Sequence, residues 1–242
     1  MELKVLYEDN HIIVVVKPAG VLSQGDMTGK PSIFDEVKNY IKEKKNKKTP
    51  SNPSGQAGNV FLGLVHRLDK PVSGIMVFAK TSKGASRMSE QFRNHTIQKT
   101  YHAIVVGKPK EDQGTLKEKV NKISFFAEGF TNKSDKEILE AVKKATKTRT
   151  AELSYEVEKS NEKYSLLKVL PKTGRFHQIR LQMAELKHPI LGDITYGGKN
   201  PEWKDQNSIA LCATGLSFKS ATGEKDIDLK IDLPKEWGSY IK

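Results

Sequence analysis

The chain has 242 residues, 36% of them hydrophobic, and carries 41 Lys and Arg against 29 Asp and Glu for a formal net charge of +12. This is the composition of a soluble globular protein long enough to bury a core, and its longest apolar run, residues 12–16, is far shorter than the roughly 20 residues of a helical membrane span. An acidic start and a single cysteine, Cys212, argue against a secretory signal and an intrachain disulfide, and predict a reducing, cytoplasmic setting.

The first predicted element is a strand over 11–17, closed by the Pro18-Ala19-Gly20 turn. A short helix follows, with Ser32 as N-cap, Asp35 three residues on, and Ile33, Val37, Tyr40 and Ile41 on one face. From Lys42 to about Asn59 a lysine run and then a Pro/Ser/Gly stretch predict a flexible insertion. Strands over 61–65 and 74–79 flank the Asp69-Lys70-Pro71 turn, and Ala85, Met88 and Phe92 mark a second helix. Alternation around Tyr101, Ala103 and Val105, and again at Ala151, Leu153, Tyr155 and Val157, predicts two half-buried strands. Between them the capping box Ser134–Glu137 precedes Ile138, Leu139 and Val142 and predicts a helix. A strand over 164–170, a helix carrying Phe176, Ile179, Met183 and Leu186, and strands at 209–218 and 227–233 complete the chain. Strands outnumber helices and do not alternate with them. The expectation is one α+β domain over 1–242 with a mostly antiparallel sheet.

The surplus of cations points to a polyanion, although 35 of the 41 are lysines and lysine-rich composition alone gives the same figure. Other motifs are missing. The six histidines show no His-Glu-x-x-His spacing, and Gly25 to Lys30 misses the phosphate-cradling loop in both spacing and hydroxyl. The reading therefore expects no metal and no cofactor.

Two segments stand out, and they hold half of the six arginines. One is His66-Arg67-Leu68-Asp69 with Ser73-Gly74, an acid flanked by cations on a turn between apolar strands. The other is Gly174-Arg175-Phe176-His177-Gln178-Ile179-Arg180, where Gly174 suits a tight turn and the following helix carries Arg180. A carboxylate near a guanidinium keeps its charge when water is excluded. Yet Asp-Lys-Pro is also ordinary turn chemistry, His66 and His177 suit structural hydrogen bonds, Tyr101 suits a core strand, and Arg67 and Arg175 suit plain phosphate contacts. Spacing alone supports a nucleic-acid-binding domain with a carboxylate site.

His66-Arg67-Leu68-Asp69 with Ser73-Gly74 resembles the signature of the RluA-type RNA pseudouridine synthases. The likeness extends to the opening block at 7–20, the Tyr101 strand at 98–107, the arginine block at 171–180 with 188–193 and Tyr196-Gly197, and the closing strands at 211–218 and 222–224. Five ordered blocks at compatible spacing exclude a chance match. Phe176 stands where the family usually has Thr or Ser, Gln182 and Cys212 where His is common, and Pro71-Val72 is a less frequent turn. The opening block starts at residue 7, so the small N-terminal RNA-binding module of many relatives is expected to be missing.

The resemblance implies a mixed, mostly antiparallel bent sheet flanked by helices, and an isomerase that converts uridine in rRNA or tRNA to its C-glycoside. It implies Asp69 as the essential carboxylate, Arg180 as its partner, and Tyr101 stacking on the target base and assisting late proton removal. It implies Arg67 in the place of the flipped base, with His66, Arg175, His177 and Gln178 contacting RNA. The partner is then RNA, with no membrane, metal or small-molecule cofactor, and the chain is expected to act as a monomer. A catalytically inactive RNA-binding or RNA-folding protein of the same fold is the alternative, and it would not need Asp69, Tyr101 and Arg180 together.

Overall fold

The structure, a computed structural model, describes residues 2–26, 29–48, 60–121, 148–203 and 205–242. The predicted capping-box helix after Ser134 and the 49–59 part of the expected insertion lie outside these residues. Ten strands are described: β1 (Val5–Glu8), β2 (Ile12–Lys17), β3 (Gly63–Leu64), β4 (Ser73–Ala79), β5 (Gln98–Val106), β6 (Gln113–Asn121), β7 (Thr148–Ser160), β8 (Tyr164–Pro171), β9 (Leu211–Lys219) and β10 (Asp226–Lys230). They form one sheet in the order β1-β2-β4-β9-β5-β8-β7-β6, with β3 beside β4 and β10 beside β9. All of these pairings are antiparallel except β4 with β9. The fold is therefore α+β with a mixed, mostly antiparallel sheet, in line with the expectation. No described helix is long and apolar enough to cross a membrane.

Residues 12–16 form a continuous apolar run because both faces of β2 are covered. Ile13 and Val15 pack with Met76 and Phe78 against Ile33, Val37 and Ile41 of α1 (Ile33–Lys48), while Ile12 and Val14 pack with Ile75, Val77 and Met88 of α2 (Ser82–Arg93). The first face continues through Ala103, Leu153 and Val169 to Ile179 and Met183 of α3 (Gln178–Glu185). That face carries the site.

Helix α1 starts as expected, since the Ser32 hydroxyl accepts from the Asp35 N–H at 3.2 Å and donates to its carboxylate at 2.6 Å. It does not end at Ile41. It runs to Lys48, so the first part of the expected flexible insertion, 42–48, is helical. Lys and Glu are good helix formers, and Glu8 holds the exposed side by accepting from Lys44 at 2.6 Å and Tyr40 at 3.3 Å. Strand β6 has no counterpart in the sequence reading. Its inner positions Leu116 and Glu118 give no clean alternation, and it is ordered by nine-residue pairing with β7.

The junction that positions the site is the two-residue parallel contact of Ser73-Gly74 with Cys212-Ala213. Gly74 sits at φ +126°, and a side-chain carbon there would fall 2.3 Å from the Ala213 carbonyl oxygen. Gly74→Ala is expected to cost roughly 2–3 kcal/mol, about 6–9 °C in Tm for a chain of this length. A thermal melt checks it, and an unchanged Tm would mean that the strands part without cost.

Candidate active site

Asp69 lies on the turn between β3 and β4, and backbone bonds fix that turn on every side. Leu68 exchanges hydrogen bonds with the Ser23 hydroxyl, its N–H donating at 3.1 Å and its carbonyl accepting at 2.5 Å. The Val72 N–H donates to the Asp69 carbonyl at 3.0 Å, and the Gly20 N–H to the Lys70 carbonyl at 2.8 Å. Lys17, fully buried, donates from Nζ to the carbonyls of Pro18, Val21 and Lys70 at 2.9, 2.7 and 3.1 Å. Burial pulls the Lys17 amine down to about 7, against the charges of Asp69 and Cys212. Sequence reasoning passed over Lys17 and Ser23, which hold the turn from behind.

The second wall is the loop before α3. Gln178 organises it: its Oε1 accepts from the Thr173 hydroxyl at 2.7 Å and the Arg175 N–H at 3.0 Å, and its Nε2 donates to the Glu152 carbonyl of β7 at 3.1 Å. Gln178 is buried with its amide satisfied inside the protein. It thus braces the loop, and it also lines the cavity where the RNA contact is expected. The tight conformation also falls elsewhere than expected. Gly174 has no positive φ, whereas His177 enters α3 at φ 47°, in the left-handed region. A non-glycine residue held there stores strain of about 1 kcal/mol or more, a state that clusters at functional sites.

That geometry turns the His177 ring onto Phe176, with centroids 3.7 Å apart, and into a hydrogen-bond chain. Arg180 Nη1 lies 3.0 Å from His177 Nε2. A guanidinium can only donate, so Nε2 accepts, and Nδ1 carries the proton toward the Tyr196 hydroxyl at 3.1 Å. Arg180 itself is clamped by Asp193, with Nε to Oδ2 at 2.6 Å and Nη2 to Oδ1 at 2.8 Å. The two side chains are 5% and 1% exposed, and the Tyr196 ring lies 5.1 Å from the guanidinium carbon. Burial works against the charge on Arg180, but the Asp193 bonds and the charges of Asp193 and Asp69 outweigh it and raise its pKa.

The expected pair of Arg180 with Asp69 is therefore secondary. Arg180 Nη1 and His177 Nε2 each stand 3.6 Å from Asp69 Oδ2, close enough to feel its charge and too far for a hydrogen bond. The Asp69 side chain, 27% exposed, keeps a carboxylate face open. Asp193 and Tyr196, which do this clamping, were quoted in the sequence only as part of a block. Their signal is an acid directly after Gly192 and three residues before Tyr196-Gly197.

Asp69, Arg67, Lys99, Tyr101, Arg175, His177 and Arg180 line a cavity of about 120 Å³, floored by Val72, Ile179 and Leu211. Tyr101 reaches it from β5 beside an irregularity in the β5–β9 pairing, where Thr214 has no partner between Ala213 and Gly215. Burial, and then the charges of Asp69 and Cys212, raise the Tyr101 pKa, so the phenol keeps its proton. Arg67 is exposed at the rim, its pKa lowered by burial and held up by Asp69.

His66 is outside the cavity lining. It accepts from the Val77 N–H at 3.0 Å and stacks on Phe92 at 4.7 Å, and burial, with the Lys99 charge, pushes it down to about 3. His66 is neutral, and its Nε2 is used within the protein. A larger cleft of about 1100 Å³ opens on the opposite face of β5, lined by Gln98, Thr100 and His102, and His102 is closed onto Glu158 at 3.2 Å and Thr214 at 2.7 Å.

Residues 11–185 match the model of the RNA pseudouridylate synthase family. The chain is 32% identical over 246 residues to tRNA pseudouridine synthase C of Vibrio parahaemolyticus, covering 98% of this chain and 93% of that one. It is 28% identical to the ribosomal large subunit pseudouridine synthase C of Buchnera aphidicola, covering 98% and 69%. Among solved structures, human RNA pseudouridylate synthase domain containing 4 superposes with a TM-score of 0.71 at 23% identity, covering 97% of this chain and 90% of that one.

Proposed function

The chain belongs to the RNA pseudouridylate synthase family and is an RNA pseudouridine synthase, and from that premise we propose that transfer RNA is its substrate and Asp69 its essential carboxylate. The observation that carries the assignment is an open Asp69 carboxylate held 3.6 Å from both Arg180 and His177 in a cavity walled by Tyr101. The named activity of the Vibrio relative, matched over nearly its whole length, supports the choice of transfer RNA.

The reaction breaks the N1–C1′ bond of uridine, rotates the base and joins C5 to C1′. The C5 proton leaves and N1 gains one, so the change is an isomerisation without redox. The small cavity admits a base and not a duplex, so the target nucleotide must swing out of its stack, at a cost of a few kcal/mol. Arg67 at the rim is placed to take the vacated position. The Tyr101 ring presents a face for the base to stack on. Because its phenol stays protonated at rest, Tyr101 first acts as a platform and hydrogen-bond donor, and it assists the late proton removal only after passing its own proton on. Arg180 stabilises the Asp69 charge without consuming its lone pairs, since its strong bonds go to Asp193. Asp69 is then available to attack the base, attack the sugar or take a sugar proton.

Tritium release from uridine C5 tests this reading. Labelled transfer RNA from a strain lacking the gene is expected to lose tritium with this protein, and ribosomal RNA from the same strain is not. Release from ribosomal RNA alone would overturn the substrate assignment.

A further inference from the structure

Three cations gather at the rim of the cavity that Asp69 also lines. Lys99 and Arg175 both line the cavity, and Arg149 on β7 lies near enough to Arg175 to depress its pKa, after burial. No carboxylate stands within 4.0 Å of any of the three among the described residues. Neighbouring lysines differ: Lys117 and Lys172 share Glu152 at 3.4 and 2.9 Å. Placing like charges together without a counterion costs stability unless a ligand supplies the anion.

The donors converge. Lys99 Nζ is anchored by one bond, to the Thr173 carbonyl at 3.1 Å, and an ammonium has two further N–H groups to give. The Gly174 backbone runs past the ammonium, since a side-chain carbon added there would stand 3.7 Å from that nitrogen. Arg175 spends Nε on the Thr150 carbonyl at 2.9 Å, which fixes the plane of the guanidinium and leaves its terminal nitrogens without a protein acceptor among the described residues. An ammonium and an oriented guanidinium edge at one rim make an oxyanion site. A phosphodiester has the charge and the oxygens to fill it.

We propose that Lys99 and Arg175, with Arg149 behind them, bind one phosphodiester of the RNA, that of the nucleotide whose base enters the cavity. The assignment of this site rests on the reading of the chain as an RNA-modifying enzyme. Fixing that phosphate at the rim sets the sugar above Asp69, so the site positions the C1′ carbon as well as adding affinity. Lys99 acts in its charged form. Burial and Arg175 bring its pKa down to about 8, and the titratable groups around it are Arg175 and Arg67 at the rim, Asp69, His177 and Arg180 in the cavity, neutral His66 and protonated Tyr101.

Equilibrium binding of transfer RNA from the gene-deleted strain, measured from 50 to 300 mM KCl, tests the site. Lys99→Gln and Arg175→Gln are each expected to weaken binding about 10-fold and to reduce the slope of log Kd against log salt by about one. Lys99→Arg is expected to restore the wild-type slope. Between pH 7 and 9 wild-type affinity should fall as Lys99 loses its proton, while Lys99→Arg stays level. Unchanged slopes in the Gln variants, even with weakened activity, would overturn the phosphate site and leave Lys99 a structural group. A wild-type protein that binds with the expected slope but releases no tritium would instead overturn the proposed substrate, so the two failures are distinguishable.

Discussion

Asp69→Asn is expected to lower pseudouridine formation at least about 10³-fold while leaving the fold intact. Attack on the base, attack on the sugar and abstraction of a sugar proton all need an anionic oxygen with a free lone pair, and an amide supplies none of these. The substitution keeps the side chain's shape. Nothing that holds the turn depends on the carboxylate, because the bonds to Ser23, Lys17, Gly20 and Val72 all run through backbone atoms of residues 68–72. Arg180 keeps its two bonds to Asp193, so no buried charge is stranded. The melting temperature is therefore expected to stay within about 3 °C of wild type. Single-turnover tritium release and a thermal melt check both halves. Substantial turnover in Asp69→Asn would remove the residue from its role, and a collapsed melt would mean that the carboxylate holds the turn.

The sequence was most legible where local pattern and tertiary environment agree. The run in β2 marked a real strand because both faces meet apolar neighbours, and the alternation in β5 did so because one face meets the core while Gln98, Thr100 and His102 face an open cleft. It was misleading where charge stood in for disorder. The lysines after Ile41 continue a helix, because an exposed helical turn of Lys and Glu needs no apolar face once Glu8 ties Tyr40 and Lys44 to β1. The polar strand β6 was invisible for the same reason, as its order comes from its partner β7. Within the site, the motif residues Asp69, Tyr101, Arg175, His177 and Arg180 do converge on one cavity. Their division of labour could not be read from spacing. Gln178 and His66 have the chemistry of RNA contacts, and the Gln178 amide and the His66 Nε2 also bond inside the protein, to Thr173, Glu152 and Val77. Which carboxylate holds Arg180 depends on a turn 13 residues away, and only the folded chain brings it there.

That turn carries the second large effect. Asp193→Asn is expected to destabilise the protein by roughly 4 kcal/mol, about 12 °C in Tm, because it leaves a buried guanidinium without its bidentate acceptor. The asparagine can accept one of the two Arg180 bonds, but its NH₂ group must then face the other N–H. Turnover should fall as well, by a different route. With Asp193 neutral, Asp69 is the remaining carboxylate within 4.0 Å of Arg180, and the guanidinium is drawn into a direct pair with it, tying up the lone pairs that the reaction needs. A second variant separates the two effects. Arg180→Met with Asp193→Leu replaces the buried pair by apolar groups of similar volume, which is often neutral for stability, so most of the lost melting temperature should return. Activity should not return, since Asp69 then lacks the Arg180 guanidinium that stands 3.6 Å from it. Recovery of both would reduce Arg180 to a packing group, and recovery of neither would mean that the pair holds the α3 loop in a way that apolar contacts cannot replace.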